Sequence, residues 1–165
     1  MSPLPILFLA AALTATPDKP PTDPAVNQKE KGAEYLAKID ADPTVQKKPS
    51  GLRIKIEKEG TGTNPASTDT VKVNYRGTLI DGKEFDSSYK RGTPATFPLS
   101  GVIGCWTEGL QLMKPGGKAT LYCPSEIAYG DRGYASLIPP GATLIFNVEL
   151  LGIEGAKAPA APKKP

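Results

Sequence analysis

Apolar and polar residues alternate strictly over Leu52-Arg53-Ile54-Lys55-Ile56-Glu57-Lys58, which predicts a strand with one buried face. The same period returns from Thr70 to Leu79 and places Val71, Val73 and Tyr75 on one side. Asp81-Gly82 is a hairpin signal, so Lys83-Glu84-Phe85-Asp86 runs back alongside. Ser87 to Pro94 reads as a polar loop and Ala95 to Leu99 as a short extended piece. The period then changes. Between Gly101 and Met113, Trp106, Leu110 and Met113 fall at i, i+4 and i+7 and share one face of a short helix. Lys114-Pro115-Gly116-Gly117 turns the chain into a strand from Lys118 to Cys123. Pro124 to Pro140 is a long irregular connection, more often functional than idle at that length. Residues 142–151 form the most apolar strand. The pattern as a whole predicts strands curled over one helix, with an aromatic pocket at the helix start and small residues before Trp106 that let a ligand's backbone approach.

The ends read differently. Leu4 to Leu13 is an apolar run the size of a signal-peptide core and too short to span a bilayer, so residues 1–15 are expected to be a signal peptide, although no Lys or Arg precedes Leu4. No cysteine follows the run, so no lipid anchor is indicated. Pro17, Pro20, Pro21 and Pro24 make residues 16–26 an expected disordered spacer. Asn27 is placed to cap a helix over residues 27–41, which Asp42-Pro43 stops. Residues 154–165, rich in Ala, Pro and Lys, read as a disordered tail.

Charge narrows the function. The formal excess of +3 sits entirely in residues 156–165, which hold Lys157, Lys163 and Lys164 and no acidic residue. The body is balanced, so nothing in it argues for nucleic-acid binding. The sequence has no histidine and only two cysteines, Cys105 and Cys123. Ser-His-Asp and Cys-His nucleophile systems and the usual zinc sites therefore cannot be assembled. Any chemistry here needs neither a strong general base nor a metal, and no cofactor is expected.

Several stretches taken together resemble a known family. Tyr75-Arg76-Gly77-Thr78-Leu79, Asp81-Gly82-Lys83-Glu84-Phe85-Asp86-Ser87-Ser88, Val102-Ile103-x-x-Trp106, Ala128-Tyr129-Gly130 and Ile138-Pro139-Pro140-x-Ala142-Thr143-Leu144-Ile145-Phe146 occur in the order found in the FKBP-type peptidyl-prolyl cis-trans isomerases, over residues 50–153. The 27–41 helix resembles the segment that joins the isomerase domain to a dimerisation arm in exported bacterial members. Most of that arm is missing here, so a monomer or weak dimer is expected. The resemblance implies an α+β fold, a bent antiparallel sheet of about five strands wrapped around one short helix. It also implies a site built from Tyr75, Phe85, Asp86, Phe97, Val102, Ile103, Trp106, Tyr129, Ile138 and Phe146. In that reading Trp106 forms the floor under a proline ring, and Tyr75, Phe85, Phe97 and Phe146 wall it. The Ile103 backbone N–H and the Tyr129 hydroxyl address substrate carbonyls, while Asp86 orients Tyr75 or receives a polar ligand group. The implied catalytic set is Asp86, Tyr129, Ile103 and Tyr75.

The implied activity is rotation about X-Pro bonds on proline-containing peptides and unfolded exported proteins, in the periplasm, with macrolides as an implied inhibitor class. A non-catalytic chaperone or binding module for proline-containing segments is the alternative. Taken without the resemblance, the same aromatics read more readily as core side chains than as a pocket, and Asp86 reads equally as a turn residue. Gly104-Cys105 departs from the family's usual residues before the tryptophan. A helix start and the end of the next antiparallel strand can lie within disulfide reach, which predicts a Cys105–Cys123 bridge, with two buried thiols as the alternative. Ala95 stands where some eukaryotic members place an aromatic, which implies weaker macrolide affinity.

Overall fold

The computed structural model describes residues 24–154. The expected signal peptide, the spacer up to residue 23 and the tail from residue 155 lie outside the described residues. The first element is α1 (Pro24–Ile39). It starts three residues before the expected cap at Asn27, and Pro24 opens it because proline suits a first helical position, where no amide donor is needed. Pro24, Ala25 and Val26 thus belong to the helix and not to the spacer. After α1, the Asp42 carboxylate accepts the Thr44 amide at 2.8 Å and turns the chain into a strand that the sequence reading missed, β1 (Val45–Lys47).

Six further strands follow: β2 (Arg53–Lys58), β3 (Thr70–Leu79), β4 (Glu84–Ser87), β5 (Ala95–Pro98), β6 (Lys118–Cys123) and β7 (Leu144–Glu154). They form one antiparallel sheet in the order β1-β2-β6-β7-β3-β4, with β5 also on β3. Seven strands exceed the expected five because short pieces such as the three-residue β1 join its edges. The sheet begins before residue 50 and takes in Glu154, both outside the expected 50–153 and, for Glu154, inside the expected tail. The Asp81-Gly82 hairpin is present, closed by Leu79 N–H donating to Lys83 O at 2.9 Å.

β3 divides. Its first half, Thr70 to Val73, pairs with β5, and its second half, Arg76 to Thr78, pairs with β4. Tyr75 lies at the fork. Its amide, which neither strand takes up, donates to the buried Ser88 hydroxyl at 2.9 Å. The polar loop that was expected over residues 87–94 therefore holds a single helical turn, α2 (Ser88–Arg91). Ser87 caps it by accepting the Tyr89 and Lys90 amides, and Gly92 ends it at φ 78°.

α3 (Gly104–Leu110) is the helix inside the bend. Trp106 and Leu110 are buried in one core with Leu121, Leu144 and Phe146. Met113, expected on the same helical face, is buried there too but lies past the helix end. Leu52, Ile54, Val71, Val73 and Tyr75 point into this core, as the alternation required.

α1 is fastened to the sheet. Arg53, whose position in the alternation predicted exposure, is 9% exposed and makes a two-pronged contact with Asp40, Nε to Oδ1 and Nη2 to Oδ2, both at 2.8 Å. Leu36 is buried, and Tyr35 meets Tyr122 ring to ring at 6.3 Å. Gly32 lies so close to Thr143 that a Cβ there would stand 2.1 Å from its hydroxyl.

Candidate active site

A cleft of about 430 Å³ opens at the start of α3. It is lined by Tyr75 from β3, Phe85 and Asp86 from β4, Phe97 from β5, Gly101, Val102, Ile103 and Trp106 from the approach to α3 and its first turn, Tyr129 from the connection after β6, and Phe146 from β7. The strand residues face the cleft for an elementary reason. Side chains alternate across a strand, so Tyr75, Phe97 and Phe146 turn their rings to one face, where they meet Trp106. Phe85 and Asp86, neighbours on β4 where its register with β3 shifts, both reach the cleft. Two other clefts flank α1, and charged side chains, Lys31 and Glu34 in one and Asp40 and Arg53 in the other, are among the residues that line them.

The aromatic arrangement centres on Trp106. Tyr75, Phe97 and Phe146 stand edge-on to the indole with centroids at 5.1, 5.3 and 5.3 Å and planes at 86–87°. Phe85 meets Phe146 edge-on at 5.6 Å. Such edge-to-face pairs are favourable beyond their buried area and fix ring orientation. Gly77 makes room for two of these rings, since a Cβ there would stand 2.6 Å from Phe85 Cζ and 2.9 Å from Phe146 Cε1. The indole Nε1 is buried and has no hydrogen-bond partner among the described residues.

One polar cluster interrupts the apolar lining. The Tyr75 hydroxyl donates to Asp86 Oδ2 in a short hydrogen bond. Arg91, on α2, donates from Nη1 to Asp86 Oδ1 at 2.6 Å and from Nη2 to the Tyr75 hydroxyl oxygen at 3.0 Å. The Ser87 amide also donates to Asp86 Oδ1, at 2.9 Å. Burial pushes the Asp86 carboxyl up, but the hydrogen bonds from Tyr75 and Arg91 outweigh it and hold the carboxyl below the usual carboxylate range. Burial and the Asp86 hydrogen bond raise the Tyr75 hydroxyl. Burial, with smaller contributions from Tyr134 and Asp86, raises that of Tyr129. At neutral pH the cluster is one carboxylate held between a phenol and a guanidinium.

Of the ten site residues named from the sequence, nine line this cleft. Ile138 does not. It is 3% exposed in the core, and its backbone pairs with Tyr134 across a short bridge. Two contributors were missed, Gly101 in the lining and Arg91 behind Asp86. Gly101 belongs to the run of small residues before Trp106. Arg91 is legible only once Ser87 and Gly92 are read as the two ends of a helical turn. Cys105 and Cys123, both fully buried, are joined in a disulfide with Cα atoms 5.7 Å apart. Among the described residues, no helix is long and apolar enough to cross a membrane.

A family described as FKBP-type peptidyl-prolyl cis-trans isomerase matches residues 61–151. The FKBP-type isomerase FkpA of Aeromonas hydrophila is 54% identical over 130 residues, which are 79% of this chain and 48% of that protein. FkpA of Escherichia coli K12 is 49% identical over 141 residues, 86% of this chain and 51% of its own. The chain spans about half the length of these curated relatives. The crystal structure of FkpA from Escherichia coli superposes with a TM-score of 0.76 at 50% identity, over 78% of this chain and 60% of that one. A peptidyl-prolyl cis-trans isomerase from Pseudomonas syringae pv. tomato gives 0.74 at 35% identity, over 81% of this chain and 98% of its own. The family match covers more than half of the sequence, and a solved member is matched over nearly its whole length, so this chain belongs to the FKBP-type peptidyl-prolyl cis-trans isomerases.

Proposed function

We propose that this chain catalyses cis-trans rotation about X-Pro bonds in the cleft above Trp106. The observation that carries the reading is the set of aromatic rings standing edge-on around one indole, with a single fixed polar cluster beside them. An X-Pro imide is held planar by amide resonance, with a barrier of roughly 20 kcal/mol. Nothing covalent has to break, so a site without histidine suffices. A water-poor cleft disfavours the charge-separated planar amide relative to the twisted state, in which the C–N bond has lost its double-bond character. Each ~1.4 kcal/mol of such preference is worth about tenfold in rate.

In this reading the proline ring rests on Trp106 between Tyr75, Phe85, Phe97 and Phe146. Val102 flanks it, and the Ile103 N–H and the Tyr129 hydroxyl take the neighbouring carbonyls. Asp86, tied to Tyr75 and Arg91, fixes the polar wall. The clients are proline-containing segments of unfolded exported proteins, met in the periplasm after export directed by the apolar run at Leu4–Leu13, and macrolides compete for the same cleft.

A protease-coupled assay on an X-Pro peptide tests the activity. A rate gain that a macrolide abolishes is expected, and a rate equal to the uncatalysed one refutes the reading. The pH dependence adds a second check. The Asp86 carboxyl is depressed, so its bonds to Tyr75 and Arg91 are fully present above the ordinary carboxylate pKa and are lost as pH falls through its lowered value. The raised phenols stay protonated. The expected kcat/KM profile is therefore flat between about pH 5 and pH 9 and falls only at the acid end. A bell centred near neutrality would contradict the assignment of these groups.

A further inference from the structure

The disulfide lies on the seam between two segments of the cleft. Cys105 sits in the first turn of α3, between Ile103 and Trp106. Cys123 ends β6, and from it the chain passes through Pro124 and a 3₁₀ turn at Ser125–Ile127 to Tyr129. That passage is compact, because the Ala128 and Gly130 amides both donate to Ser125 O at 2.9 Å. A displacement at Cys123 is therefore passed on to Tyr129. The two segments also touch beside the bridge, where a Cβ at Gly104 would stand 3.7 Å from Ile127 Cβ.

α3 lacks a side-chain cap on its first turn. It is seven residues long, and Ile103 at its N-cap offers no side-chain hydrogen bond. Helices this short do not persist without tertiary support. Its Trp106 ring is held edge-on by Tyr75, Phe97 and Phe146 on the sheet side, and two further ties follow. Thr107 Oγ1 donates to Leu99 O at 2.7 Å, and Gly109 fits closely against Leu121. The Thr107 hydroxyl also lies 3.5 and 3.3 Å from Val102 O and Ile103 O, so it braces Val102 to Trp106 along their own segment, and neither tie reaches across to the Tyr129 segment.

We propose that Cys105 and Cys123 are a positioning pair: their bond fixes the Val102–Trp106 segment against the Tyr129 segment and so sets the width of the substrate cleft. The inference rests on the isomerase reading for its effect on turnover. Its effect on the seam itself stands independently.

The experiment compares the oxidised chain with the C105A/C123A variant and with wild-type chain refolded under reducing agent, which keeps both sulfurs in place. All are held at a temperature where their far-UV circular dichroism agrees. The expected result is a drop of about tenfold in kcat/KM for both bridge-free forms. Backbone amide exchange over residues 101–107 and 125–130 should also quicken at least tenfold more than in β3 and β7. Unchanged turnover in the bridge-free forms overturns the proposal. So does exchange that quickens evenly across the sheet, because even quickening reports lost global stability and not a loosened cleft. Should the oxidised chain show no turnover at all, the isomerase reading fails, and the exchange contrast alone still decides whether the bond fixes the seam.

Discussion

Gly77→Ala is expected to lower kcat/KM about tenfold and to destabilise the fold by about 1–3 kcal/mol, the usual cost of forcing volume into a packed site. The added methyl would stand 2.6 Å from Phe85 Cζ and 2.9 Å from Phe146 Cε1, closer than non-bonded carbons come. Phe146 has nowhere to go, because it is buried against Trp106 on the long strand β7. Phe85 is half-buried on the four-residue β4, so it yields first and its ring swings across the cleft it helps to wall. Denaturant unfolding and the coupled assay read the two effects separately. If the variant matches wild type in both, Phe85 and Phe146 are not held at the spacing described.

Asp86→Ala is expected to lower kcat/KM by about tenfold to a hundredfold while costing only about 1–3 kcal/mol of stability, the usual penalty when hydrogen bonds to a charged group are lost. The loss frees the Tyr75 hydroxyl and leaves Arg91, which donates to both Asp86 and Tyr75, without its carboxylate. Arg91 then carries an uncompensated positive charge beside a cleft whose proposed advantage lies in being apolar. Asp86→Asn keeps acceptor oxygen but no charge, and it should fall between the two. Equal turnover in Asp86→Ala and wild type would remove Asp86 from the site and reduce it to a turn residue.

Much of this was legible from periodicity. The alternation through Val71, Val73 and Tyr75 gave both the strand and the face that turns inward, because a two-residue repeat admits one buried side. The i, i+4 spacing of Trp106 and Leu110 located α3. What escaped was set by tertiary contact. β1 is three residues long and exists through its pairing with β2, so no window of sequence carries it. Arg53 sits on the outer face by alternation yet is covered, because α1 brings Asp40 to it. The resemblance implies a cleft position for Ile138, carried over with the rest of the motif. The backbone bridge to Tyr134 turns it inward instead. Arg91 was passed over because a four-residue helix is too short to show a period, although its capping residues are in plain view.

The forking of β3 also bears on how this architecture can be remodelled. Because β4 and β5 attach to separate halves of one strand, the stretch between them, residues 88–94, hangs from the mouth of the cleft without contributing a rung to the ladder. The sheet needs from it the Ser88 hydroxyl on the Tyr75 amide, and the cleft needs Arg91 behind Asp86. Residues inserted beyond Gly92 would leave both anchors and every strand register untouched while lengthening an arm over the entrance, so the approach to the cleft can diversify at that spot with the framework left intact.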